Sequence, residues 1–200
     1  MSFFKFARDL TRMVLMPLFR VKYHNVENVP KQGGYILAPN HRMALDPLFV
    51  SYRIPRDISF MGKEELFKNP LLRLLFEKGL KAFPVSRGKG DTGAIDTAVQ
   101  RIKEGGILGI FPEGTRSKTG KLGVIKSGVM VVAAQTGAPI LPVAIKIDKP
   151  GLFCRIDITY GKLITCEELG VTVGEYSPRS LRQGKNILTN WYKEQLGQND

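Results

Sequence analysis

The chain contains few of the residues that usually signal redox chemistry or metal binding. Its 200 residues include two histidines, two cysteines and one tryptophan. Cys154 and Cys166 lack metal-ligand spacing and have no histidine near them in sequence, so we interpret both as structural. Their scarcity predicts a reducing compartment without a disulfide framework, and a single disulfide between them stays compatible with the sequence.

Long apolar runs are also missing. No stretch approaches the roughly 20 apolar residues that a membrane-spanning helix requires. The longest early apolar run, residues 13–19, is short, contains Pro17 and lacks a small-residue cleavage site. The sequence therefore predicts neither a membrane-spanning helix nor a signal peptide.

Acidic residues are outnumbered by basic ones. The chain has 18 Asp and Glu against 30 Lys and Arg, which gives a formal net charge of +12 at pH 7. This charge favours a polyanionic or anionic-surface partner, such as nucleic acid, anionic lipid or a phosphorylated substrate. We expect no nucleic-acid partner, because the aromatic residues are not interleaved with basic ones as stacking platforms and no nucleic-acid motif is present.

Strand-like segments alternate with helix-like segments along the chain. This order predicts a single α/β domain with a mostly parallel central sheet flanked by helices. The predicted strands cover residues 21–29, 35–38, 58–61, 82–88, 107–111, 139–146 and 156–160. The predicted helices cover residues 47–52, 70–81, 95–104, 126–135 and 178–196, with Ser177 as the N-cap of the last one. We place an amphipathic segment at residues 1–22 and the main domain at residues 23–200.

The first twenty residues have an amphipathic helical pattern that ends near Pro17. One face carries apolar residues at helical spacing: Phe3, Phe6, Leu10, Met13 and Val14. The opposite face is mainly basic, with Lys5, Arg8 and Arg12 beside Asp9. This combination is typical of an interfacial membrane anchor. A helix packed on the protein's own core would show the same periodicity, so both interpretations stay open.

A candidate catalytic pair follows the predicted strand at residues 35–38. His41 lies five residues before Asp46, and Pro47 comes next. Because proline suits the first position of a helix, we predict Asp46 at a helix N-cap with His41 in the loop before it. The carboxylate can then turn back to the imidazole and fix its tautomer, which makes a general base. A histidine near an aspartate is also common as a structural polar pair, so the pair alone does not establish catalysis. Residues in the other loops are needed to distinguish the two roles.

Further charged residues follow other predicted strands, at the edge of the sheet where sites form in α/β proteins. The cations, each near a glycine, are Lys63, Arg87, Arg116 and Lys126. Glycine permits close approach to the backbone, and the arginine fork matches phosphate oxygens. Glu113 either accepts hydrogen bonds from substrate hydroxyls or pairs with Arg116. No nucleophile elbow, P-loop or dinucleotide fingerprint is present. These features together favour group transfer onto a hydroxyl of a phosphorylated acceptor.

Four blocks, in order, resemble the glycerolipid acyltransferases. His41 and Asp46 have the spacing of the H-x4-D signature. Residues 83–87 (FPVSR) resemble the second block, residues 111–117 (FPEGTRS) match the third in full, and residues 140–144 (ILPVA) resemble the fourth. One H-x4-D alone is a weak signal, but four blocks in order over roughly residues 25–165 are specific. The sequence departs at Met43, where family members often carry Ser or Thr.

The resemblance implies an O-acyltransferase in which His41 deprotonates the free sn-2 hydroxyl of lysophosphatidic acid. That hydroxyl attacks acyl-CoA or acyl-carrier protein directly and gives phosphatidic acid, with Asp46 orienting His41. The acceptor phosphate would contact Lys63, Arg87 and Arg116, and the glycerol part would contact Glu113, Gly114 and Thr115. The family needs no metal or cofactor besides the donor co-substrate. Residues 23–200 would be the catalytic domain, docked by residues 1–22 on the anionic cytoplasmic face of the cell membrane.

Two alternatives remain open from the sequence. The acceptor could be another lysophospholipid or glycerol-3-phosphate, although a membrane-docking segment favours an acceptor that resides in the membrane. The chain could also be a non-catalytic protein that binds anionic lipid, as its charge alone would suggest. A binding module, however, has no need of the His41–Asp46 pair.

Overall fold

A seven-stranded sheet forms the centre of the computed structural model, which describes residues 3–68, 73, 77, 81–85, 92–149 and 151–198. The strands are β1 (Arg20–His24), β2 (Tyr35–Pro39), β3 (Ile58–Lys63), β4 (Phe83–Val85), β5 (Ile107–Gly109), β6 (Ile140–Ile147) and β7 (Arg155–Tyr160). Their order in the sheet is β1-β7-β6-β2-β5-β3-β4. Only the β6–β7 pair is antiparallel among these strands, so the predicted mostly parallel α/β fold is confirmed.

Helices cover both faces of this sheet, because its central strands are apolar on both sides. The helices are α1 (Phe3–Leu15), α2 (Asp46–Ser51), α3 (Thr92–Lys103), α4 (Gly128–Thr136) and α5 (Pro178–Leu196). In β2, Tyr35 and Leu37 point into the core beneath α2, while Ile36 and Ala38 point into the core beneath α3, α4 and α5. This two-sided burial is typical of parallel strands and gives the domain three layers.

The last helix follows its predicted boundaries closely. Ser177 accepts a hydrogen bond from the backbone N–H of Ser180, and the Ser180 hydroxyl accepts one from the N–H of Ser177, which completes a capping box. Gly184 is buried, and a Cβ atom there would lie 2.9 Å from the sulfur of Met130 in α4. The glycine inside this helix therefore permits close packing of α5 against α4.

Some predicted elements differ from the structure or lie outside it. The first strand ends at His24 rather than residue 29, because Asn25 adopts a left-handed conformation with φ of 56°. A 3-10 turn follows at Val26–Asn28. The helix predicted at residues 70–81 falls almost wholly outside the described residues. The fourth strand lies at the sheet edge, as Pro84 predicts, and both cysteines are buried and free.

The N-terminal helix packs through its polar side and leaves its apolar side exposed. The exposed fractions are 52% for Phe6, 46% for Leu10, 70% for Met13 and 55% for Val14. On the other side, Arg8 Nη1 donates to the carbonyl oxygen of Ile54 at 2.7 Å. None of the described helices combines the length and apolar character needed to cross a membrane. The helix thus contacts the domain without burying the apolar face that the sequence predicts.

Gly109 leaves room for an aromatic ring next to the site. A Cβ atom at this position of β5 would overlap the ring of Phe60 on the adjacent strand β3, so glycine is required for that ring to lie across β5. The Phe60 ring in turn stacks on Phe111, with centroids 6.1 Å apart and an interplanar angle of 20°. The stacked rings of Phe60 and Phe111 lie next to the loop that carries His41.

Candidate active site

Three of the loops singled out in the sequence meet at one edge of the sheet. Strands β2, β5, β3 and β4 are adjacent and parallel, so their carboxyl ends lie side by side. His41 follows β2, Glu113 follows β5 and Lys63 ends β3. Arg87, predicted to contact phosphate, lies outside the described residues, two positions beyond the end of β4. The edge is the one at which α/β proteins form their sites.

Asn40 fixes the point where the chain leaves β2. Its side chain is buried, and its amide accepts from the backbone N–H of Ile145 at 2.6 Å and donates to the Ile145 carbonyl at 3.1 Å. The side chain thereby substitutes for a backbone pair with β6 beyond the last strand residue. These two hydrogen bonds fix the position of Asn40 and therefore the direction in which the chain continues to His41.

The imidazole of His41 and the carboxylate of Asp46 form a direct pair. Nδ1 of His41 lies 2.8 Å from Oδ2 of Asp46, which is fully buried, while 16% of the histidine side chain is exposed. Because a carboxylate only accepts hydrogen bonds, Nδ1 carries the hydrogen and Nε2 holds the lone pair. This is the tautomer that a general base requires.

Asp46 is not the N-cap residue of α2, contrary to the prediction from the sequence. It is the first residue of α2, and the residue before the helix is Leu45. Its Oδ2 accepts from the backbone N–H groups of Arg42 at 2.6 Å and Met43 at 2.8 Å, which precede the helix. Those donors hold the carboxylate back over the loop, so it caps the loop rather than the first turn of the helix.

Met43 contributes its backbone N–H to the Asp46 carboxylate but has no side-chain hydroxyl. The Asp46 carboxylate accepts from the N–H of residue 43, as the acidic partner of a capping box does. In a capping box, a hydroxyl on residue 43 would accept from the N–H of Asp46; here that N–H donates to the backbone carbonyl of Met43 at 3.2 Å. The half-buried Met43 side chain packs against the core under α2.

The ring and backbone of His41 are held at three further points. The imidazole stacks on Phe111 with ring centroids 4.0 Å apart and an interplanar angle of 25°. The His41 carbonyl accepts from the N–H of Ser117 at 2.9 Å. Its own N–H donates to Oε1 of Glu113 at 2.7 Å. His41 is therefore fixed by its ring face, its Nδ1 atom and both of its backbone groups.

Glu113 is a buried brace between two loops. Only 4% of the residue is exposed, and its second oxygen, Oε2, accepts from the N–H of Gly123 at 2.7 Å. Burial raises the pKa of this carboxyl group, while the backbone donors of His41 and Gly123 oppose that rise. Both oxygens accept from backbone N–H groups, and no pairing of Glu113 with Arg116 occurs among the described residues. Its contact with a substrate hydroxyl stays a prediction.

The loop after Glu113 is tied to the histidine loop and to the end of α5. Arg42 Nη1 donates to the carbonyl of Gly120, and the side-chain amide of Gln198 donates to the same carbonyl at 3.0 Å. The Gln198 side chain also accepts from the N–H of Leu122 at 2.8 Å. The loop at residues 117–126 is consequently a fixed wall of the site.

The cations predicted to contact phosphate differ in their surroundings. Thr115 and Arg116 are exposed, and among the described residues no carboxylate neutralises Arg116. Gly114 has φ of 70°, and a Cβ atom there would lie 3.1 Å from Nζ of Lys126, so the lysine side chain extends over the glycine. Lys63 Nζ lies 2.8 Å from a carboxylate oxygen of Glu65, and both side chains are about half exposed. Exposed pairs of this kind exchange readily with a bound anion.

A supported imidazole, with cations on the neighbouring strand ends and loops at the carboxyl edge of parallel strands, defines a site suited to activating a hydroxyl of an anionic substrate. Comparison with known proteins gives the class. A family model described as Acyltransferase matches residues 20–146, more than half of the chain. The chain belongs to the acyltransferase family and is an O-acyltransferase.

Individual relatives agree with this class. The chain is 34% identical over 142 residues to the 1-acyl-sn-glycerol-3-phosphate acyltransferase of Bacillus subtilis, covering 70% of each protein. It is 33% identical over 120 residues to the enzyme of the same name from Borreliella burgdorferi, covering 60% of this chain and 48% of that one. The solved structure of the 1-acyl-sn-glycerophosphate acyltransferase PlsC from Thermotoga maritima superposes with a TM-score of 0.74 at 24% identity, over 96% of this chain and 79% of that one. The last likeness confirms the fold.

The residues that support His41 were not predicted from the sequence. We assigned no role to Asn40, Arg42 or Phe111, and we did not predict the bond between Glu113 and the backbone of His41. The only local signals are the position of Asn40 directly before His41 and of Phe111 directly before Pro112 and Glu113. The contacts themselves join residues far apart in sequence, for which a single chain without its fold carries no pattern.

Replacing Glu113 with glutamine tests its role as a brace. The amide keeps the shape but turns one acceptor into a donor, so it faces the N–H of His41 or of Gly123 with no hydrogen bond. We expect a loss of about 1–3 kcal/mol in the free energy of unfolding and a fall in kcat, measured by thermal unfolding and steady-state kinetics. Glu104→Gln, an exposed change at the end of α3, is the control and should alter neither. If Glu113→Gln only raised the acceptor KM at an unchanged Tm, Glu113 would contact substrate instead.

Proposed function

We propose that the chain transfers a fatty acyl group from an acyl thioester to the free sn-2 hydroxyl of 1-acylglycerol-3-phosphate, giving phosphatidic acid. The observation that carries this proposal is the His41–Asp46 pair, with cations on the neighbouring loops that suit a phosphorylated acceptor. The names of the bacterial relatives, both 1-acyl-sn-glycerol-3-phosphate acyltransferases, support the choice of acceptor. The donor is acyl-CoA or acyl-carrier protein, and the reaction uses no further cofactor.

The proposed reaction passes through direct attack on the thioester. Nε2 of His41 takes the proton of the acceptor hydroxyl as its oxygen bonds to the thioester carbonyl carbon. The carbon–sulfur bond then breaks, and the thiolate leaves and receives the proton from the imidazolium. Asp46, bonded to Nδ1, stabilises the imidazolium between these steps. Stacking on the Phe111 ring adds a favourable interaction with that transient cation.

The acceptor phosphate would bind at the cations of the neighbouring loops. Arg116 offers a planar fork for two phosphate oxygens. Lys63 contributes a point charge at the end of β3, and Arg87 joins them by its place in the second sequence block. Gly114 and Thr115 lie beside Arg116 and would contact the glycerol part of the acceptor. These assignments follow the sequence blocks and agree with the exposure of Thr115 and Arg116.

The exposed apolar side of α1 favours an acceptor that resides in a membrane. A helix with apolar residues on one side and arginines on the other binds at the boundary between headgroups and acyl chains. We propose that α1 docks the enzyme peripherally on the anionic cytoplasmic face of the cell membrane. This geometry supports a lysophospholipid over soluble glycerol-3-phosphate as acceptor.

Substituting His41 with alanine tests the general base. We expect turnover to fall by about 10²–10⁴-fold, because a positioned base contributes that much to proton transfer. The measurement is thiol release from acyl-CoA or acyl-carrier protein with lysophosphatidic acid in detergent micelles. The matched control is His24→Ala, which removes the other histidine; His24 lies in the edge strand β1, with Nε2 3.0 Å from the Asp157 carboxylate. We expect its turnover to match the wild type.

Near-normal turnover of His41→Ala would refute the assignment of the base. A wild-type protein that acylates no lysophospholipid and no glycerol-3-phosphate with either donor would refute the enzyme function itself. In that case a non-catalytic role in binding anionic lipid becomes the leading interpretation.

Arg116→Ala tests the phosphate contact. We expect the KM for lysophosphatidic acid to rise about tenfold or more with little change in Tm, because a charge-assisted pair is lost at an exposed position. The control is Arg101→Ala on α3, which removes the same charge from an exposed site outside the active-site edge. An acceptor KM that stays at the wild-type value would assign Arg116 to another role.

A paired charge introduction tests membrane docking by α1. Leu10→Glu/Met13→Glu places two carboxylates on the exposed apolar side, and we expect loss of sedimentation with vesicles that contain phosphatidylglycerol, because burying a charge in the acyl region is unfavourable. The control, Val173→Glu/Tyr176→Glu, changes two residues of similar exposure, 55% and 41%, outside α1. Equal sedimentation of both double variants would place the membrane contact elsewhere.

A further inference from the structure

A basic cleft lies between the loop at residues 121–125 and helix α5. Its volume is about 780 Å³. From α5, Arg182, Lys185 and Lys193 line it at the spacing of one helix face, and Lys121 faces them from the loop. No acidic side chain of the described chain lines the cleft. Four cations in one concave surface attract and concentrate anionic ligands.

The outer wall of this cleft also supports the catalytic loop. Gly123, which lines the cleft, donates its N–H to Glu113, and Glu113 accepts the N–H of His41 through its other oxygen. Lys121 is adjacent to Gly120, whose carbonyl accepts from Arg42 next to the catalytic histidine. The cleft and the imidazole therefore lie on two sides of one loop, joined by a buried carboxylate.

The cleft and the proposed membrane contact belong to opposite faces of the sheet. Helix α1 packs against α2, and its last residue, Leu15, contacts the core on that face. Helix α5 packs on the other face, where Leu188 and Tyr192 are buried. A ligand in the cleft would thus arrive from water while α1 rests on a bilayer. This separates it from the acceptor, which enters from the membrane.

We propose that the cleft binds the phosphate end of the thioester donor. This inference rests on the proposed function, since it assumes a donor with a phosphopantetheine arm. CoA and acyl-carrier protein share that arm, in which a phosphate stands at one end of a long flexible chain and the thioester at the other. The arm requires an anion site separated from the catalytic base, as the cleft is. Its volume lies within the roughly 300–1,000 Å³ of small-ligand pockets.

Two anion sites then serve two substrates. Lys63 at the end of β3 and Arg116 in the loop after β5 would hold the acceptor phosphate. Arg182 and Lys185 belong to α5 and would hold the donor phosphate. Because the two sets of cations lie on different elements, substitutions in one should change the KM of one substrate alone. That split distinguishes a donor site from a general effect of positive charge.

The test is the double variant Arg182→Glu/Lys185→Glu, assayed with three donors: acyl-CoA, acyl-carrier protein and acyl-N-acetylcysteamine, a thioester without phosphate. We expect the KM for a phosphate-bearing donor to rise about tenfold or more, since two charge-assisted contacts become repulsive. The KM for lysophosphatidic acid and the rate with the truncated donor should stay unchanged. The control, Arg101→Glu/Lys103→Glu on α3, makes the same charge change at two exposed residues outside the cleft and should leave every value unchanged.

A rise confined to acyl-CoA would identify the nucleotide-bearing donor as the occupant, and a rise confined to acyl-carrier protein would identify the protein-bound arm. Unchanged donor KM values, or an equal loss with the truncated donor, would overturn the proposal. So would reduced sedimentation with phosphatidylglycerol vesicles at unchanged donor KM, because the cleft would then bind lipid headgroups. Failure of the proposed function is distinct, since the wild type itself would then show no acyl transfer with any donor.

Discussion

The hydrogen bond between Nδ1 of His41 and Asp46 is the interaction on which the rest of the site depends. It is made by a fully buried carboxylate, and burying a charge is costly unless polar groups surround it. Here the groups are the backbone N–H donors of Arg42 and Met43. They exist only when the loop folds tightly back on the start of α2. The conformation of this loop therefore determines the orientation of the His41 imidazole.

Glu113, on the neighbouring loop, is a second buried carboxylate that accepts hydrogen bonds from backbone N–H groups. The hydrogen bonds that both buried carboxylates accept come from backbone N–H groups and the His41 ring, not from arginine or lysine side chains; both Glu113 oxygens are bonded, whereas at Asp46 all of these bonds fall on Oδ2 and the buried Oδ1 has no partner among the described residues. This matters in a chain with a net charge of +12, where cations are plentiful. Because the interior acids do not draw on Arg116 or Lys126, those cations are left for anionic substrates. The positive charge of the surface therefore does not serve to pair with the two buried carboxylates.

The sequence predicts the fold class and the contact between His41 and Asp46 well, because both depend on local pattern. Alternating strand and helix segments specify the sheet, and Ser177 and Pro178 mark the start of α5 to the residue. It fails where one residue overrides a pattern, as when the left-handed Asn25 ends β1 early. It also fails where a side chain binds distant backbone. Glu113 is 72 positions from His41, and no spacing rule connects them.

The basic cleft illustrates the same limit from the side of ligand binding. In sequence, Arg182, Lys185 and Lys193 are a charged stripe on the last helix, a pattern typical of a solvated face. They line a concave site only because Gln198 and Glu113 hold the loop at residues 121–125 opposite them.

Direct acyl transfer needs both substrates bound at once, since no covalent intermediate stores the acyl group. Two anionic substrates in one site would repel each other unless their charges were held apart. In the proposed arrangement the fold separates them: the acceptor cations lie at the end of β3 and just after β5, the donor cations lie on α5, and the loop at residues 117–126 lies between. Only the uncharged reacting atoms, a hydroxyl and a thioester, then need to meet at Nε2 of His41. The support of that loop by Glu113 is consequently a condition for both substrates as well as for the base.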